Sequence, residues 1–231
     1  FDQVPTQTAV AMLALADAGR PFVVTYEALR SASNANDVEG QPVSFIVTTP
    51  LVGTLTQGGQ PVIPGVTVLS ASSEPLVWTA PATASKPMKA FSVFASDGLQ
   101  RSLKAVPVTI DVNARPTVST AKPISVRIDP LAPPASVSLT LAQVTSAANE
   151  ADKDKDPLSF IIDSVLDGTL TINGEAVVPG VSILRADAPL VWTPSAAPAI
   201  SSVARPVFML RVADATTSSD ATATVTVKFT R

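Results

Sequence analysis

The sequence predicts an all-β protein made of two tandem sandwich domains, and three observations carry that prediction. The stretch from Ala35, "ANDVEGQPVSFIVTTPLVGTLTQGGQPVIPGVTVLSASSEPLVWT", recurs from Glu150 as "EADKDKDPLSFIIDSVLDGTLTINGEAVVPGVSILRADAPLVWT", at an offset of 115 with one deletion. Within each copy, short runs alternate apolar and polar residues with period two, the mark of half-buried strands. Glycines and prolines punctuate the chain at intervals of about ten residues, the turn spacing of a sandwich with about seven short strands. No window of about 11 residues shows a helical stripe, so strands and turns are expected throughout.

The repeat fixes the domain count. Phe45 pairs with Phe160, Trp78 with Trp192, Phe91 with Phe208 and Asp97 with Asp214. A period near 115 residues exceeds that of a solenoid unit, which cannot fold alone, so each copy reads as a domain. The boundaries fall at 1–113 and 114–231, where the closing strand of the first copy runs into "NARPTV" (Asn113 to Val118), a hinge bearing a proline.

Strands and turns can be assigned in chain order. "LTLAQVTSAA" (Leu139 to Ala148) reads as an opening strand of the second copy, and "PLSFII" as the strand after an acidic loop. "TLTINGEAV" is a hairpin with Asn173-Gly174 at its tip, where both central residues need positive φ, and "TLTQGGQPV" repeats it with Gly58-Gly59. In "PLVWT", Leu76 and Trp78 share a face, as do Leu190 and Trp192. Those rings therefore read as core, against the alternative of exposed platforms for stacking sugars. "FSVFASD" and "FMLRVAD" are strands that end at an aspartate. The closing "ATATVTVKF" puts Val225, Val227 and Phe229 on one face, and "VPVTIDV" does the same with Val106, Val108, Ile110 and Val112. These elements together indicate sandwiches of the immunoglobulin type. The run "RIDPLAPPAS" (Arg127 to Ser136) reads as rigid and irregular.

Composition narrows the chemistry. Of 231 residues, 46% are apolar and 15% charged, the balance of globular material. The net charge is −3 and there is no basic block, which argues against a nucleic-acid partner. No cysteine is present, which excludes disulfides and thiolate metal sites, and no histidine, which excludes Ser-His-Asp and Cys-His catalysis. The longest apolar stretch near the start, Ala9 to Ala16, falls far short of the roughly 20 residues of a membrane helix, so no membrane insertion is expected. A chain beginning at Phe1 reads as an excerpt or a processed product.

The acidic loop of the second copy is the one place where ligand chemistry gathers. Asp152, Asp154 and Asp156 alternate, and calcium takes six to eight oxygens of the kind they offer. An EF-hand does not fit, because Pro157 stands where that loop needs glycine and a strand comes next in place of a helix. Lys153 and Lys155 interleave the aspartates and favour the other reading, a solvated turn. Carboxylates also suit glycoside hydrolysis, and Asp152 with Asp214 or Glu150 with Asp163 are formal pairs. Nothing in the pattern suggests a cleft between them, and no enzyme is expected.

Taken in order, the acidic loop before "PLSFII", then "GTLTINGEAVVPGV", "LVWTP", "F-x-L-x-V-x-D" and a terminal "VTV" strand resemble the bacterial cadherin-like repeats of large surface and adhesin proteins, over nearly all of both copies. The resemblance implies Ig-like sandwiches in extracellular, cell-surface stalks, with neighbouring repeats or other surface molecules as partners and calcium near domain junctions. It adds Asp214 to Asp152, Asp154 and Asp156 as metal ligands, although Ala215 stands where glycine is usual. The linker Asn113-Ala114-Arg115-Pro116 lacks the usual carboxylate and brings a cation close. The first copy departs further, with Asp37, Glu39 and Gln41 at the three acidic positions and Asp97 at the strand end. The expected function is a non-enzymatic structural or adhesion repeat (a stalk, spacer or surface-layer part). The alternatives are a glycan- or other ligand-binding module of a secreted protein, or a subunit that polymerises through its sheet edges.

Overall fold

In the computed structural model, which describes residues 2–185 and 187–231, the chain divides into two compact units, Phe1–Ala114 and Arg115–Arg231. Unit 1 runs β1 (Leu13–Asp17), β2 (Pro21–Val24), α1 (Tyr26–Ala32), β3 (Ser44–Val47), β4 (Thr54–Gln57), β5 (Gln60–Pro61), β6 (Val68–Leu69), β7 (Leu76–Thr79), β8 (Met88–Ser96) and β9 (Val106–Asn113). Unit 2 repeats that order as β10 (Ile124–Arg127), β11 (Val137–Leu139), α2 (Leu141–Ala148), β12 (Ser159–Val165), β13 (Thr169–Ile172), β14 (Glu175–Ala176), β15 (Ile183–Leu184), β16 (Leu190–Thr193), β17 (Arg205–Ala213) and β18 (Ala223–Thr230).

Each unit is an Ig-like sandwich of a five-stranded and a four-stranded sheet. The orders are β1-β9-β8-β3-β6 with β2-β7-β4-β5 in unit 1, and β10-β18-β17-β12-β15 with β11-β16-β13-β14 in unit 2. Neighbouring strands run antiparallel except at one place per unit, where the first strand lies parallel to the last: β1 on β9, and β10 on β18. The chain therefore enters and leaves each unit at opposite ends of that sheet. Alternation decides which side chains face inward, so Val108 and Ile110 of β9 and Val225 and Val227 of β18 are buried.

The hairpin tips take the turn their residues demand. Asn173 and Gly174 have φ of 52° and 84°, and Gly58 and Gly59 have 56° and 77°, so both central residues are left-handed as a two-residue hairpin requires. The tryptophans are core residues. Trp78 and Trp192 are both 0% exposed, which removes them as sugar-stacking platforms. Each buried indole N–H still finds an acceptor, donating to the Val52 carbonyl at 2.8 Å and to the Asp167 carbonyl at 2.9 Å. Trp192 also stacks on Phe229, with centroids 6.0 Å apart.

One expectation fails. The run from Leu139 to Ala148 is not a strand beyond Leu139, because α2 begins at Leu141, and unit 1 carries α1 at the same place. The cause is a local cap. Thr140 accepts from the Gln143 main-chain N–H and the Gln143 side chain accepts from the Thr140 N–H, a capping box that satisfies two orphan donors. Val144, Ala147 and Ala148 then reach the core on one face. At seven and eight residues, α1 and α2 are too short to register in a window of about 11. Among the described residues, no helix is long and apolar enough to cross a membrane.

Gly53 and Gly168 stand where the chain passes the tryptophan strand, and both have positive φ. A Cβ at Gly168 would run into the Thr193 carbonyl, whereas one at Gly180, also left-handed, would meet nothing within 4 Å. Gly180→Ala is therefore expected to cost about 1 kcal/mol for its backbone conformation alone. Gly168→Ala should cost at least twice that, because the β13–β16 pairing must also give way. Urea unfolding of the two variants measures the difference, and equal midpoints would contradict the close approach.

Candidate functional site

The acidic loop joins α2 to β12, and local chemistry shapes it. Asn149 ends α2 in the left-handed conformation with φ of 44°, and its side-chain amide donates to Ser119 Oγ at 3.0 Å. Ala151 then pairs with Thr117 through two main-chain hydrogen bonds of 2.8 and 3.0 Å, which ties the loop to the segment entering unit 2. Asp152 organises the rest of the loop. Its Oδ1 accepts from the main-chain N–H of Asp154 at 2.8 Å and of Asp156 at 3.3 Å, so the loop curls around one carboxylate. Lys155 takes a left-handed φ of 65°, a conformation rare for a side chain of its size.

The curl brings Asp152, Asp154 and Asp156 together, with one carboxylate oxygen of each lying within 4.8 Å of the others. Asp152 Oδ2 is buried and has no hydrogen-bond partner among the described residues. The Asp156 carboxyl is held above its ordinary value although its side chain is exposed. The loop strips water from it first, and the charges of Asp152, Asp154 and Asp214 then repel its ionised form. Asp214 is thus close enough to be felt, but it lies outside the group of three. Its Oδ1 accepts from Thr216 and Thr217 main-chain N–H groups at 2.7 and 2.6 Å and from Thr216 Oγ1 at 3.0 Å, forming the turn after β17. Arg115, the cation of the linker, donates to the Ser218 carbonyl and to Asp220 Oδ1, both at 2.7 Å.

Of the formal catalytic partners, Asp163 pairs with Arg211 at 3.3 Å on the strand beyond. Two open hollows of unit 2, about 460 Å³ each, lie elsewhere. One is lined by Lys122, Ile124, Gln143 and Ser146, the other by Arg205, Val227 and Phe229, and neither has an acidic side chain in its wall.

The corresponding loop of unit 1 shows what the sequence reading missed. Asp37 is only 6% exposed and accepts from the Gln41 main-chain N–H at 2.9 Å. Gln41 and Gln100 both reach Asp2, a residue without a role in the sequence reading. A signal was present, because Asp2 stands three residues before Pro5 as Asn113 stands three before Pro116. A second missed pair is Ser102 and Ser219. Both are buried and bind back to the strand at Ala95 and Val212, at 3.1 and 3.2 Å.

Comparisons with known proteins add little to this geometry. No family model and no curated protein matches the chain. Among solved structures, it is similar to human protocadherin-24 EC1-2, at 13% identity and a TM-score of 0.43 over 100% of this chain and 99% of that one. It is also similar to DIP-gamma IG1+IG2, at 8% identity and a TM-score of 0.35 over 99% of both chains. An endo-fucoidan hydrolase of glycoside hydrolase family 107 matches at 20% identity and a TM-score of 0.32, and this chain spans 29% of its length. At such scores none of them carries an argument about function.

The raised pKa of Asp156 gives a pH dependence with a definite sign. A carboxyl that binds its proton more tightly folded than unfolded favours the fold most below the ordinary carboxylate range, and that contribution is lost as pH rises through the raised value. Without divalent cations, Asp156→Asn is therefore expected to be more stable than the parent at neutral pH, with the advantage shrinking as pH falls. Urea midpoints across an acid-to-neutral series in chelator test this, and a gap independent of pH would remove the raised Asp156 carboxyl as its cause.

Proposed function

We propose that the chain is a pair of structural repeats, an extracellular spacer or adhesion-type part rather than a catalyst, with the acidic loop of unit 2 as a calcium site. The observation that supports the mechanical reading is the parallel pairing of the first and last strands in each sandwich. Tension applied through the two ends of a unit loads the β10–β18 bonds, from Ile124–Val227 to Arg127–Thr230, together in shear, so they resist as a group. Duplication of the whole sandwich then adds length without adding chemistry. Neighbouring repeats and other surface molecules are the partners this reading implies.

The three gathered carboxylates support calcium. They supply hard oxygen ligands, and the cation would offset the repulsion that adds to lost hydration in raising Asp156. Its role here is to stiffen a loop already tied to the entering segment by the Thr117–Ala151 bridge. Asp214 stands near enough to share the field and is assigned to the rim of the site.

Two measurements test these roles. Pulling the chain from its ends in a force spectrometer should give two unfolding events, each releasing about 350 Å of chain. One event, or gradual extension at low force, would count against a load-bearing pair. Thermal unfolding in chelator and in excess calcium should show the unit 2 transition rising by several degrees, since ligand at about 100 times its Kd stabilises by about 2.7 kcal/mol. Asp154→Ala should abolish the rise. Superimposed curves for the parent would leave the loop a solvated turn and the protein a metal-independent spacer.

A further inference from the structure

The two units carry the same loop end and finish it with different chemistry. In unit 1 a chain of hydrogen bonds crosses it. Asp37 Oδ1 accepts from the Gln41 main-chain N–H at 2.9 Å, and the Gln41 side-chain amide donates to Asp2 Oδ1 at 3.0 Å. From the other side, the Gln100 side-chain amide donates to Asp2 Oδ2 at 3.0 Å and to the Asp2 main-chain carbonyl at 2.9 Å. The Gln100 main-chain N–H in turn donates to Asp97 Oδ1 at 2.7 Å. Both oxygens of one carboxylate are thus held by two glutamines, and each glutamine is anchored through its own N–H to a further aspartate.

Unit 2 has none of these partners at the matching places. Asp156 stands for Gln41, Thr217 for Gln100 and Asn113 for Asp2. Where unit 1 brings two amide donors to a carboxylate, unit 2 gathers carboxylates with a raised Asp156. Hydrogen bonds from N–H groups to an ionised carboxylate are roughly twice as strong as neutral ones, and side-chain amides supply them without a metal.

We propose that Gln41 and Gln100 form an amide latch on Asp2, which fastens the entering segment of unit 1 to its acidic loop and to the turn between β8 and β9 without any cation. The latch spans 98 residues of sequence, closing the sandwich between its first residues and its last hairpin. Beyond the latch, the segment is held by the Thr6–Asn36 and Val10–Ser33 bridges, by the Ala11 N–H donating to the Ala32 carbonyl at 2.8 Å, and by the Asn34 side chain accepting from Thr8 and Ala9 at 3.0 and 2.9 Å. The two halves of the chain therefore differ in what holds their entering segments, amides in unit 1 and, if the proposed calcium site is right, a cation in unit 2. The latch stands whether or not unit 2 takes calcium.

Amide hydrogen exchange on the full chain tests it, with the Thr6 and Asn36 N–H groups as reporters because each bonds the other residue's carbonyl, at 2.8 and 2.9 Å. In the parent, their protection should be the same in chelator and in excess calcium. Gln41→Ala should exchange about tenfold faster there, the loss expected for one hydrogen bond to a charged group, and Gln100→Ala, which removes two bonds to Asp2, at least as fast. Gln41→Glu should be at least as fast, because it sets a carboxylate against Asp2. Tryptophan fluorescence checks that each variant keeps its sandwich, and if Gln100→Ala does not, Gln100→Asn, whose amide falls one methylene short, should show the same loss. Protection unchanged in the alanine variants would overturn the latch. So would parent protection at Thr6 that rises with calcium, which would place a cation where the amides are argued to suffice.

Discussion

Each sandwich depends on one indole N–H that has to find an acceptor inside a sealed core. Trp78 and Trp192 have no exposed surface, and an unpaired donor there would cost about 1–3 kcal/mol. The acceptors are the carbonyls of Val52 and Asp167, which lie in loops rather than strands. The chain must therefore pass close to the ring at that point. The next residue in each copy is a glycine with positive φ, where a Cβ would strike the carbonyl of Thr79 or Thr193. One buried bond thus fixes the path between β3 and β4, and between β12 and β13. The "LVGT" and "LDGT" stretches are the sequence record of that requirement.

With the core fixed this way, the loops at one end of each sandwich are free to diverge, and the two copies show how far. Both begin from an aspartate that caps its own turn, Asp37 through the Gln41 N–H and Asp152 through those of Asp154 and Asp156. Both keep an aspartate at the strand end, Asp97 and Asp214, that binds the next turn in the same manner. The scaffold of main-chain bonds is common to the two units. What changed is the second layer, glutamine amides and Asp2 in one, further carboxylates and Arg115 in the other.

The sequence made the local features legible and hid the distant ones. Strands, hairpins and the buried tryptophans were readable because period two and positive-φ turn residues are written within a few positions. The helices were not, because α1 and α2 owe their existence to a threonine cap and a few buried side chains rather than to a long amphipathic stripe. The three aspartates could be named because they are neighbours in sequence. Asp2 and Gln100 could not, since their contact closes over 98 residues and a neutral amide belongs to no ligand motif. Ser102 and Ser219 were missed for a related reason. A serine looks like surface until the fold shows its hydroxyl bridging a strand to the turn beyond it.

The acidic loop of unit 2 gathers more carboxylates than its turn requires. Its main-chain geometry is satisfied, with Asp152 Oδ1 accepting two N–H groups, so the turn would form with fewer charges. The remaining carboxylates crowd together, and lost hydration followed by their repulsion holds Asp156 above its ordinary value. Unit 1 shows that the same turn needs no such crowding, because Gln41 fills the third position with a neutral side chain and the loop closes equally well. The clustering of carboxylates in unit 2 therefore does not follow from the fold. The proposed calcium site rests on that clustering, which brings one oxygen from each of three aspartates within 4.8 Å of the others.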